Sequence, residues 1–411
     1  MADVFEIELT GIAHGGSAFG RHKGRIVFVP YTIPGERVRV RITDEKPRYA
    51  HGEAVEIIEA SPARVEAPCP HFGPGLCGGC QFQHMAYQRQ LELKQQIVLD
   101  QLRRIGRFEA PDVLPIIPSP VQWHYRSHST FTMSPEGRLG FYSDDGHSIL
   151  PVEVCHILHP ALLELFQQLD LDAEGIERVK LQVGSDPADR MLVIQTADDL
   201  PPEIKVDIPV SVNLLLSDNE PVNLVGSPQV VCRVLGRDFR VTAGGFFQVN
   251  LPVAAILVEQ VLQHLTPDAN ETVLDLYSGV GLFTAFVAER TGLVVSVESY
   301  PPAVSDAEAN LADLENVEII EGPVEAVLED LEGSIDAVVL DPPRTGVSEV
   351  VVEQLGRLSA RRIVYVSCDP ATLARDIRQL AGHGYRLSVV QPVDMFPQTY
   401  HIEAVAVLGQ E

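Results

Sequence analysis

Several features common in other classes of protein are absent from this sequence of 411 residues. No apolar run approaches the roughly 18 residues that a membrane-spanning helix needs, so no membrane span is expected. The first residues, MADVFEIELTG, have neither the basic nor the apolar region of a signal peptide, and we therefore expect a cytoplasmic protein. Six cysteines in a chain of this length argue against a disulfide framework.

Basic residues are outnumbered, since the formal net charge is −26 and the isoelectric point is near 4.8. As an average over the chain, this charge argues against a nucleic acid as the partner. The acidic excess is uneven, however. Residues 271–336 hold 15 Asp and Glu against a single Arg, whereas residues 1–60 hold 9 against 8 Lys and Arg. A basic surface outside the acidic segment is therefore compatible with the composition.

The length is sufficient for two or three domains, and residues 1–60 predict a small β-domain. Short alternating runs punctuated by glycines cover residues 6–9, 25–29, 37–42 and 54–58. Alternation places the cations of such strands on one face and the core on the other. These cations are Arg21, Lys23, Arg25, Arg37, Arg39, Arg41, Lys46 and Arg48. Small barrels often bind oligonucleotides, although an ordinary solvated strand face has the same charge pattern.

Three cysteines within twelve residues indicate a metal centre, and they are Cys69, Cys77 and Cys80. The two glycines between the second and third cysteine allow a tight turn that points both sulfurs inward. A fourth ligand is not close in sequence, and the candidates are His71, His84 and Cys155. Three cysteines with a histidine suit zinc, whereas four cysteines suit zinc or an iron–sulfur cluster.

Residues 61–245 predict a central α+β domain, in which a helix over residues 86–105 precedes short strands and turns. The pattern changes near residue 245. From there, strands and helices alternate as they do in a doubly wound parallel sheet.

Residues 246–411 contain a glycine-rich turn after a buried strand, DLYSG at 275–279, where a ligand can approach the backbone closely. Glu298 ends the next strand, where an acid can hold ribose hydroxyls. The turn is not a full GxGxxG, which disfavours a nicotinamide cofactor. Together with DPPR at 341–344, these features indicate a site for S-adenosylmethionine (SAM).

A candidate nucleophile lies in RRIVYVSCDPATLARD, at residues 361–376. Cys368 follows an apolar strand, and Asp369 and Pro370 are suited to begin a helix. Unpaired N–H groups and the helix dipole at such a position favour a thiolate over a thiol. The alternative is that Cys368 is a small buried hydrophobic residue.

Six stretches resemble the RNA uracil-C5 methyltransferases, in the order in which that family carries them. They are FFQVN at 246–250, LDLYSGVGLF at 274–283, VE at 297–298, LDPPRTG at 340–346, VSCDP at 366–370 and HIEAV at 401–405. In the N-terminal domain, GIAHGGSAFGR and GRIVFVPYTIPGERVRVRI resemble a TRAM domain, an RNA-binding module of the OB type. With the cysteine cluster, the resemblance covers nearly the whole chain.

The resemblance implies a role for each matching residue and a multi-domain α/β fold. The positions that contact SAM correspond to Gln248, Tyr277, Gly279, Glu298 and Asp341. The nucleophile and the base correspond to Cys368 and Glu403. The ligands of a [4Fe–4S] cluster correspond to Cys69, Cys77, Cys80 and Cys155. The implied domains are a TRAM-like OB barrel at 1–60, a central α+β domain with the cluster at 61–245, and a Rossmann-like SAM methyltransferase domain at 246–411.

The implied activity is SAM-dependent methylation of a uridine at C5. Because C5 of uracil is a poor nucleophile, a thiolate must first add to C6, and a base must later remove the C5 proton. The resemblance is closer to the ribosomal-RNA branch, so 23S rRNA is the expected substrate and tRNA the alternative. No membrane or protein partner is expected. Two competing hypotheses are a methyltransferase of another base atom and a non-catalytic RNA-binding metalloprotein. Without Cys368, Glu403 would be interpreted as a surface acid on an edge strand.

Overall fold

The computed structural model of the protein describes residues 4–171, 175–206, 208–331 and 333–410. The N-terminal part is a closed barrel with the strand order β1-β2-β3-β5-β4. Its strands are β1 (Val4–Ile12), β2 (Ala18–His22), β3 (Arg25–Val29), β4 (Arg37–Glu45) and β5 (Tyr49–Glu59). The predicted small β-barrel is confirmed. The sequence does not predict β2, because AFGRH shows little alternation of apolar and polar side chains.

The central part is built on a seven-stranded sheet with the order β14-β13-β11-β10-β6-β7-β8. Its elements, in chain order, are α1 (Tyr87–Arg104), β6 (His128–Met133), β7 (Leu139–Tyr142), β8 (Ile149–Pro151), α2 (Pro160–Gln168), β9 (Leu169–Leu171), β10 (Ile176–Val183), β11 (Arg190–Thr196), β12 (Ile204–Val206), β13 (Ser211–Leu215) and β14 (Pro221–Val225). Leu162 and Leu165 of α2 are buried in one core with Phe131 and Leu181 of the sheet. Strands β9 and β12 pair separately from the large sheet.

The C-terminal part alternates strands and helices around a second seven-stranded sheet with the order β19-β18-β17-β20-β21-β23-β22. Its elements are β15 (Gln229–Val234), β16 (Arg237–Thr242), α3 (Leu251–Leu265), β17 (Thr272–Leu276), α4 (Leu282–Ala288), β18 (Leu293–Glu298), α5 (Pro301–Asn310), β19 (Val317–Glu321), α6 (Val324–Asp330), β20 (Ala337–Leu340), α7 (Glu349–Leu358), β21 (Arg362–Ser367), α8 (Pro370–Ala381), β22 (Tyr385–Val393) and β23 (Glu403–Gln410). The predicted doubly wound domain is therefore confirmed.

The direction of the strands determines which side chains meet. Strands β17 to β21 pair in parallel, so their carboxyl ends lie along one edge of the sheet. Strand β23 runs antiparallel between β21 and β22, with Ser367 paired to Ala404. The beginning of β23 therefore lies beside the end of β21. This arrangement brings Glu403 to the same edge as Cys368.

Two elements before residue 245 pack against the C-terminal domain. The hairpin β15–β16 is bound to α5, where Arg240 pairs with Asp306 at 2.7 Å. Helix α1 packs on α8, and Lys94 forms a fully buried ion pair of 2.5 Å with Asp394. We therefore propose that the C-terminal domain begins at this hairpin rather than at residue 246. Among the described residues, no helix is both long and apolar enough to cross a membrane.

Candidate active site

The predicted ligand-contacting residues meet at the carboxyl edge of the parallel sheet. The turn with Tyr277 and Gly279 follows β17, Glu298 ends β18, and Asp341 follows β20. Open parallel sheets bind their ligands in the crevice at this edge, because the loops there leave backbone and side chains accessible. Gln248 reaches the same crevice from the segment before α3, where its Nε2 lies 3.4 Å from Oδ2 of Asp341.

The glycine-rich turn is held open by an acid from the neighbouring strand. The amide of Gly279 donates to Oε2 of Glu298 at 2.9 Å, and the amides of Ser299 and Tyr300 donate to Oε1 at 2.7 and 2.8 Å. Gly279 has φ +56°, and a side chain at this position would meet no atom within 4 Å. The backbone of Tyr277 is also in the left-handed region, with φ +60°. The turn thus offers open space beside a fixed carboxylate.

Two further carboxyl groups beneath this turn favour their protonated forms. Asp275 is 1% exposed and accepts a hydrogen bond of 2.5 Å from the Thr284 hydroxyl. Burial raises its pKa to about 7. The pKa of Asp341 is raised by burial and then by the charge of Asp275. The two carboxyl groups are therefore only partly ionised at neutral pH, and a bound cation such as the sulfonium of SAM would favour their charged forms.

Glu403 is an interior residue and not a surface acid. It begins β23, which has a neighbouring strand on each side, and it is 2% exposed. Burial raises its pKa well above the usual value, and the negative charge of Asp341 raises it further. The interpretation of Glu403 as an edge-strand residue is therefore wrong. Strand β22, and not β23, occupies the edge of the sheet.

The Cys368 thiol is less acidic than its position before a helix predicts. Burial raises its pKa to about 12, and the charges of Glu403 and Asp341 act in the same direction. Stabilisation of a thiolate by the helix N-terminus stays a prediction, and burial and the two carboxyl groups act against it. The Asp369 carboxylate accepts from the amides of Ala371 and Thr372 at 2.9 and 2.8 Å, so it occupies these helix donors itself.

Arg344 opposes the carboxyl groups around the thiol. Its guanidinium lowers the pKa of Cys368 by its charge and by a hydrogen bond to the sulfur. It also lies 3.5 Å from Nδ1 of His401. Burial and then the Arg344 charge lower the pKa of His401 to about 3, so this imidazole is neutral and can accept a hydrogen bond from Arg344. The sequence did not single out His401, although it begins the HIEAV stretch.

The barrel also reaches this site through the loop between β1 and β2. Nε2 of His14 lies 3.5 Å from Oδ2 of Asp369, the residue after the thiol. Gly16 of the same loop lies against Tyr400 and Phe82, which leave no room for a side chain. The N-terminal barrel therefore forms part of the wall near Cys368. Sequence reasoning did not predict this contact.

The four predicted metal ligands line one pocket, away from the crevice. Cys69, Cys77, Cys80 and Cys155 are free thiols there. Burial is the first cause that raises each of their pKa values, and for Cys77 the pKa rises to about 11. His71 and His156 line the same pocket, whereas His84 stacks on Phe72. In the described ranges, no group of three or more potential ligands has the geometry to hold one metal ion.

The sheet order and the turn beside Glu298 define a SAM-dependent methyltransferase. A model of the TRAM domain matches residues 3–55, and a model of the tRNA (Uracil-5-)-methyltransferase family matches residues 229–411. A protein of Streptomyces avermitilis named an uncharacterized RNA methyltransferase is 38% identical, covering 99% of this chain and 98% of the relative. A second relative, a protein of Halalkalibacterium halodurans also named an uncharacterized RNA methyltransferase, is 35% identical, and the match covers 99% of this chain and 97% of the relative. The chain belongs to this family of RNA uracil-5 methyltransferases.

A solved structure supports the same assignment over the whole chain. It is the tRNA (uracil-54, C5)-methyltransferase of Pyrococcus abyssi in complex with S-adenosyl-L-homocysteine. The two proteins are 25% identical, with a TM-score of 0.75, and the match covers 98% of this chain and 100% of the other. The similarity includes the barrel and the central sheet as well as the C-terminal domain.

Proposed function

We propose that this enzyme transfers the methyl group of SAM to C5 of a uridine in RNA, through a covalent bond between Cys368 and C6 of the base. The main observation that supports this proposal is that Cys368, Glu403 and Asp341 lie together at one edge of the sheet. A reactive thiol and a buried carboxyl group are the two side chains that this chemistry requires. Methylation of a nitrogen would need no nucleophilic cysteine.

The proposed reaction has three steps on the protein. The Cys368 thiol loses its proton to solvent and its sulfur adds to C6, which makes C5 electron-rich. SAM supplies the methyl group: a bond forms between C5 and the methyl carbon while the bond from that carbon to the sulfonium sulfur breaks, and S-adenosylhomocysteine leaves. Glu403 then removes the proton from C5, and the bond between sulfur and C6 breaks to release 5-methyluridine. We assign Arg344 the stabilisation of the thiolate, because its guanidinium lowers the pKa of the Cys368 thiol.

The expected substrate is an unpaired or flipped uridine of ribosomal RNA, since C6 of a stacked base cannot be reached by a side chain. The sequence resemblance to the ribosomal-RNA branch supports 23S rRNA. Transfer RNA is a second candidate, supported by the match to the Pyrococcus abyssi tRNA enzyme. Mapping 5-methyluridine in both RNAs, from cells with and without the gene, tests the choice. Loss of the modification from tRNA alone would contradict the ribosomal assignment.

We further propose that the four-cysteine pocket holds a [4Fe–4S] cluster. Four thiolates are the usual ligand set of such a cluster, and these four thiols line a single pocket without forming disulfides. A bound cluster would link the segment around residues 69–80 to Cys155, which is distant in sequence. Four thiolates also suit zinc, so the metal must be measured.

Protein purified without oxygen should be brown and carry about four irons per chain. Cys155→Ser should lower the iron content, because it removes one ligand. Cys232→Ser is the matched control, since this buried cysteine lies outside the pocket and should leave the iron content unchanged. A colourless protein with zinc in place of iron would refute the cluster.

The barrel has two outer faces with different electrostatics. On β4, Arg37, Arg39 and Arg41 pair with glutamates of β1 and β5. Glutamates therefore neutralise the β4 arginines, a pairing that the alternation of cations in the sequence does not show. Arg21, Lys23 and Arg48 have no ion pair within the described residues, and they lie near β2, β3 and β5.

We propose that RNA binds the outer face formed by β2, β3 and β5, where Arg21, Lys23 and Arg48 lie. The register of β3 and β5 places Phe28 opposite His51, and Tyr49 lies 5.9 Å from Phe28 between ring centres. Exposed aromatic rings beside unpaired cations are the typical surface for single-stranded nucleic acid, because bases stack and phosphates pair. This arrangement favours RNA despite the net charge of −26.

Replacing Arg48 with Ala should weaken RNA binding and reduce the slope of log affinity against log salt concentration by about one. Arg41→Ala is the matched control, because Arg41 already pairs with Glu53 at 3.1 Å and should change the slope little. Fluorescence anisotropy with end-labelled RNA at several salt concentrations measures both. If Arg41→Ala weakens binding more than Arg48→Ala, the RNA lies on the β4 face.

A further inference from the structure

The loop between β22 and β23, residues 394–402, carries His401 and ends at Glu403. One of its residues has an unusual backbone. Gln398 is left-handed with φ +70°, and it is 3% exposed. A residue other than glycine keeps such a conformation only when its surroundings hold it there. The position of the loop therefore depends on the contacts that Gln398 and its neighbours make.

Those contacts come from the segment that follows Cys80. The amides of Gln81 and Phe82 both donate to the carbonyl of Gln398, at 3.1 and 2.9 Å. Gln90 of α1 then forms two hydrogen bonds with Gln398, one with the backbone amide at 3.0 Å and one with the side chain at 2.9 Å. The segment beginning at a predicted metal ligand thus holds the strained residue of the catalytic loop.

A single side chain joins the cysteine pocket directly to this loop. Nε2 of Gln81 donates to the carbonyl of Gly78 at 2.6 Å, inside the turn between Cys77 and Cys80. Oε1 of the same amide accepts from the backbone amide of Tyr400 at 3.3 Å. Tyr400 precedes His401, the residue next to Arg344, so the contacts continue to the Cys368 thiol.

We propose that Gln81 is a positioning residue that couples metal occupancy of the four-cysteine site to the loop 394–402, and so to Glu403. This inference rests on the proposed metal site. The Gly78 amide donates to the Tyr142 carbonyl at 3.0 Å, and a metal bound to Cys77 and Cys80 would hold this Gly-Gly turn at both ends. Loss of the metal leaves the Gly78 carbonyl less firmly fixed, and Gln81 then holds the Tyr400 amide less firmly.

The effect should be confined to the second half of the loop. The first half is anchored independently of the cysteine pocket. Asp394 binds Lys94 at 2.5 Å and the Tyr87 hydroxyl at 2.8 Å, and Lys94 also donates to the Phe396 carbonyl at 2.9 Å. All of these donors lie on α1. The Gln398 amide also donates to α1, through Gln90. Metal loss should therefore release the amide of Tyr400 but leave those of Asp394 and Gln398 protected.

Hydrogen exchange of metal-loaded and metal-stripped protein tests this coupling. In the wild type, stripping with a chelator should accelerate exchange of the Tyr400 amide by at least about tenfold and that of the Asp394 and Gln398 amides by less than about twofold. In Gln81→Ala, the Tyr400 amide should exchange rapidly even when the metal content is normal. The loaded variant should also lose about tenfold in kcat while its affinity for SAM stays unchanged.

Gln83→Ala is the matched control. This buried amide accepts from the Cys69 amide at 3.3 Å, and its hydrogen bonds do not involve residues 394–402. Once loaded, it should keep the slow exchange and the metal dependence of the wild type. If chelation unfolds the whole central domain, the loaded Gln81→Ala protein still decides the question. Normal protection of the Tyr400 amide in that variant would overturn the proposal.

Failure of the metal assignment gives a different result. Protein that carries no metal at the four cysteines contradicts the site itself, and the chelator then changes nothing in any variant. Protein that carries metal, but whose loop exchange is the same after stripping, leaves the site intact and contradicts the coupling. Metal content measured on the same samples separates the two outcomes.

Discussion

Cys368→Ala is expected to abolish methyl transfer to RNA, lowering kcat by at least about 10⁴-fold, while SAM affinity stays within about twofold of the wild type. Without the sulfur, C5 of the base has no route to the electron-rich state that takes the methyl group. The residues predicted to contact the cofactor, Tyr277, Gly279 and Glu298, lie at the ends of other strands. Radiolabelled methyl transfer measures the first quantity, and calorimetric titration with SAM measures the second.

Cys232→Ala is the matched control for Cys368→Ala, because it removes a buried thiol of the same domain that does not face the crevice. It should retain most of its activity. Turnover by Cys368→Ala or Cys368→Ser at a rate near that of the wild type would contradict the covalent route and favour methylation of a nitrogen. Failure of the wild-type protein to bind SAM would instead favour a non-catalytic RNA-binding protein.

The alternation of strands and helices in the C-terminal domain was readable from the sequence. Strands β17, β18 and β20 are buried on both faces and therefore read as continuous apolar runs, ended by glycine, acid or proline. The strand at residues 272–276 was predicted with its exact bounds. The same reasoning could not place β23, because insertion of the last strand between two others depends on sheet topology and not on local pattern.

The charges that surround the Cys368 thiol and the cations of the barrel were the least predictable features of the sequence. The sequence predicts a helix after Cys368, and the structure has it. Burial nevertheless raises the pKa of the thiol, and Glu403 and Asp341, which are distant in sequence, raise it further. The outward cations of the barrel were likewise predicted, whereas their pairing with glutamates depends on the register of β1, β4 and β5. Local patterns identify which residues face outward or follow a strand, and the fold determines which charges they meet.

Glu403→Gln is expected to stall the reaction after methyl transfer. Attack by the sulfur and transfer of the methyl group both precede removal of the C5 proton, and glutamine cannot take that proton. A positioned base typically contributes about 10²–10⁴ in rate, which is enough for the intermediate to accumulate. The product should be a covalent complex of protein and RNA that survives denaturation, with a methylated uracil joined through Cys368.

A denaturing gel with end-labelled RNA measures this complex. The pH dependence of the rate at which RNA is released from it is a second observation. Burial and the Asp341 charge raise the pKa of Glu403, so the protonated form is favoured and release in the wild type should speed up as pH rises. Glutamine does not titrate, and the Glu403→Gln variant should lose this acceleration. The double variant that also lacks Cys368 is the control, and it should show no shifted band.

The outcomes of this experiment assign the two roles separately. If Glu403→Gln turns over at the wild-type rate without a shifted band, another group removes the proton. A shifted band that persists in the double variant would mean that a residue other than Cys368 attacks C6. A band that requires Cys368 and whose release no longer depends on pH would support both assignments. The raised pKa of Glu403 would then be part of the mechanism, because a base of raised pKa takes the C5 proton more readily.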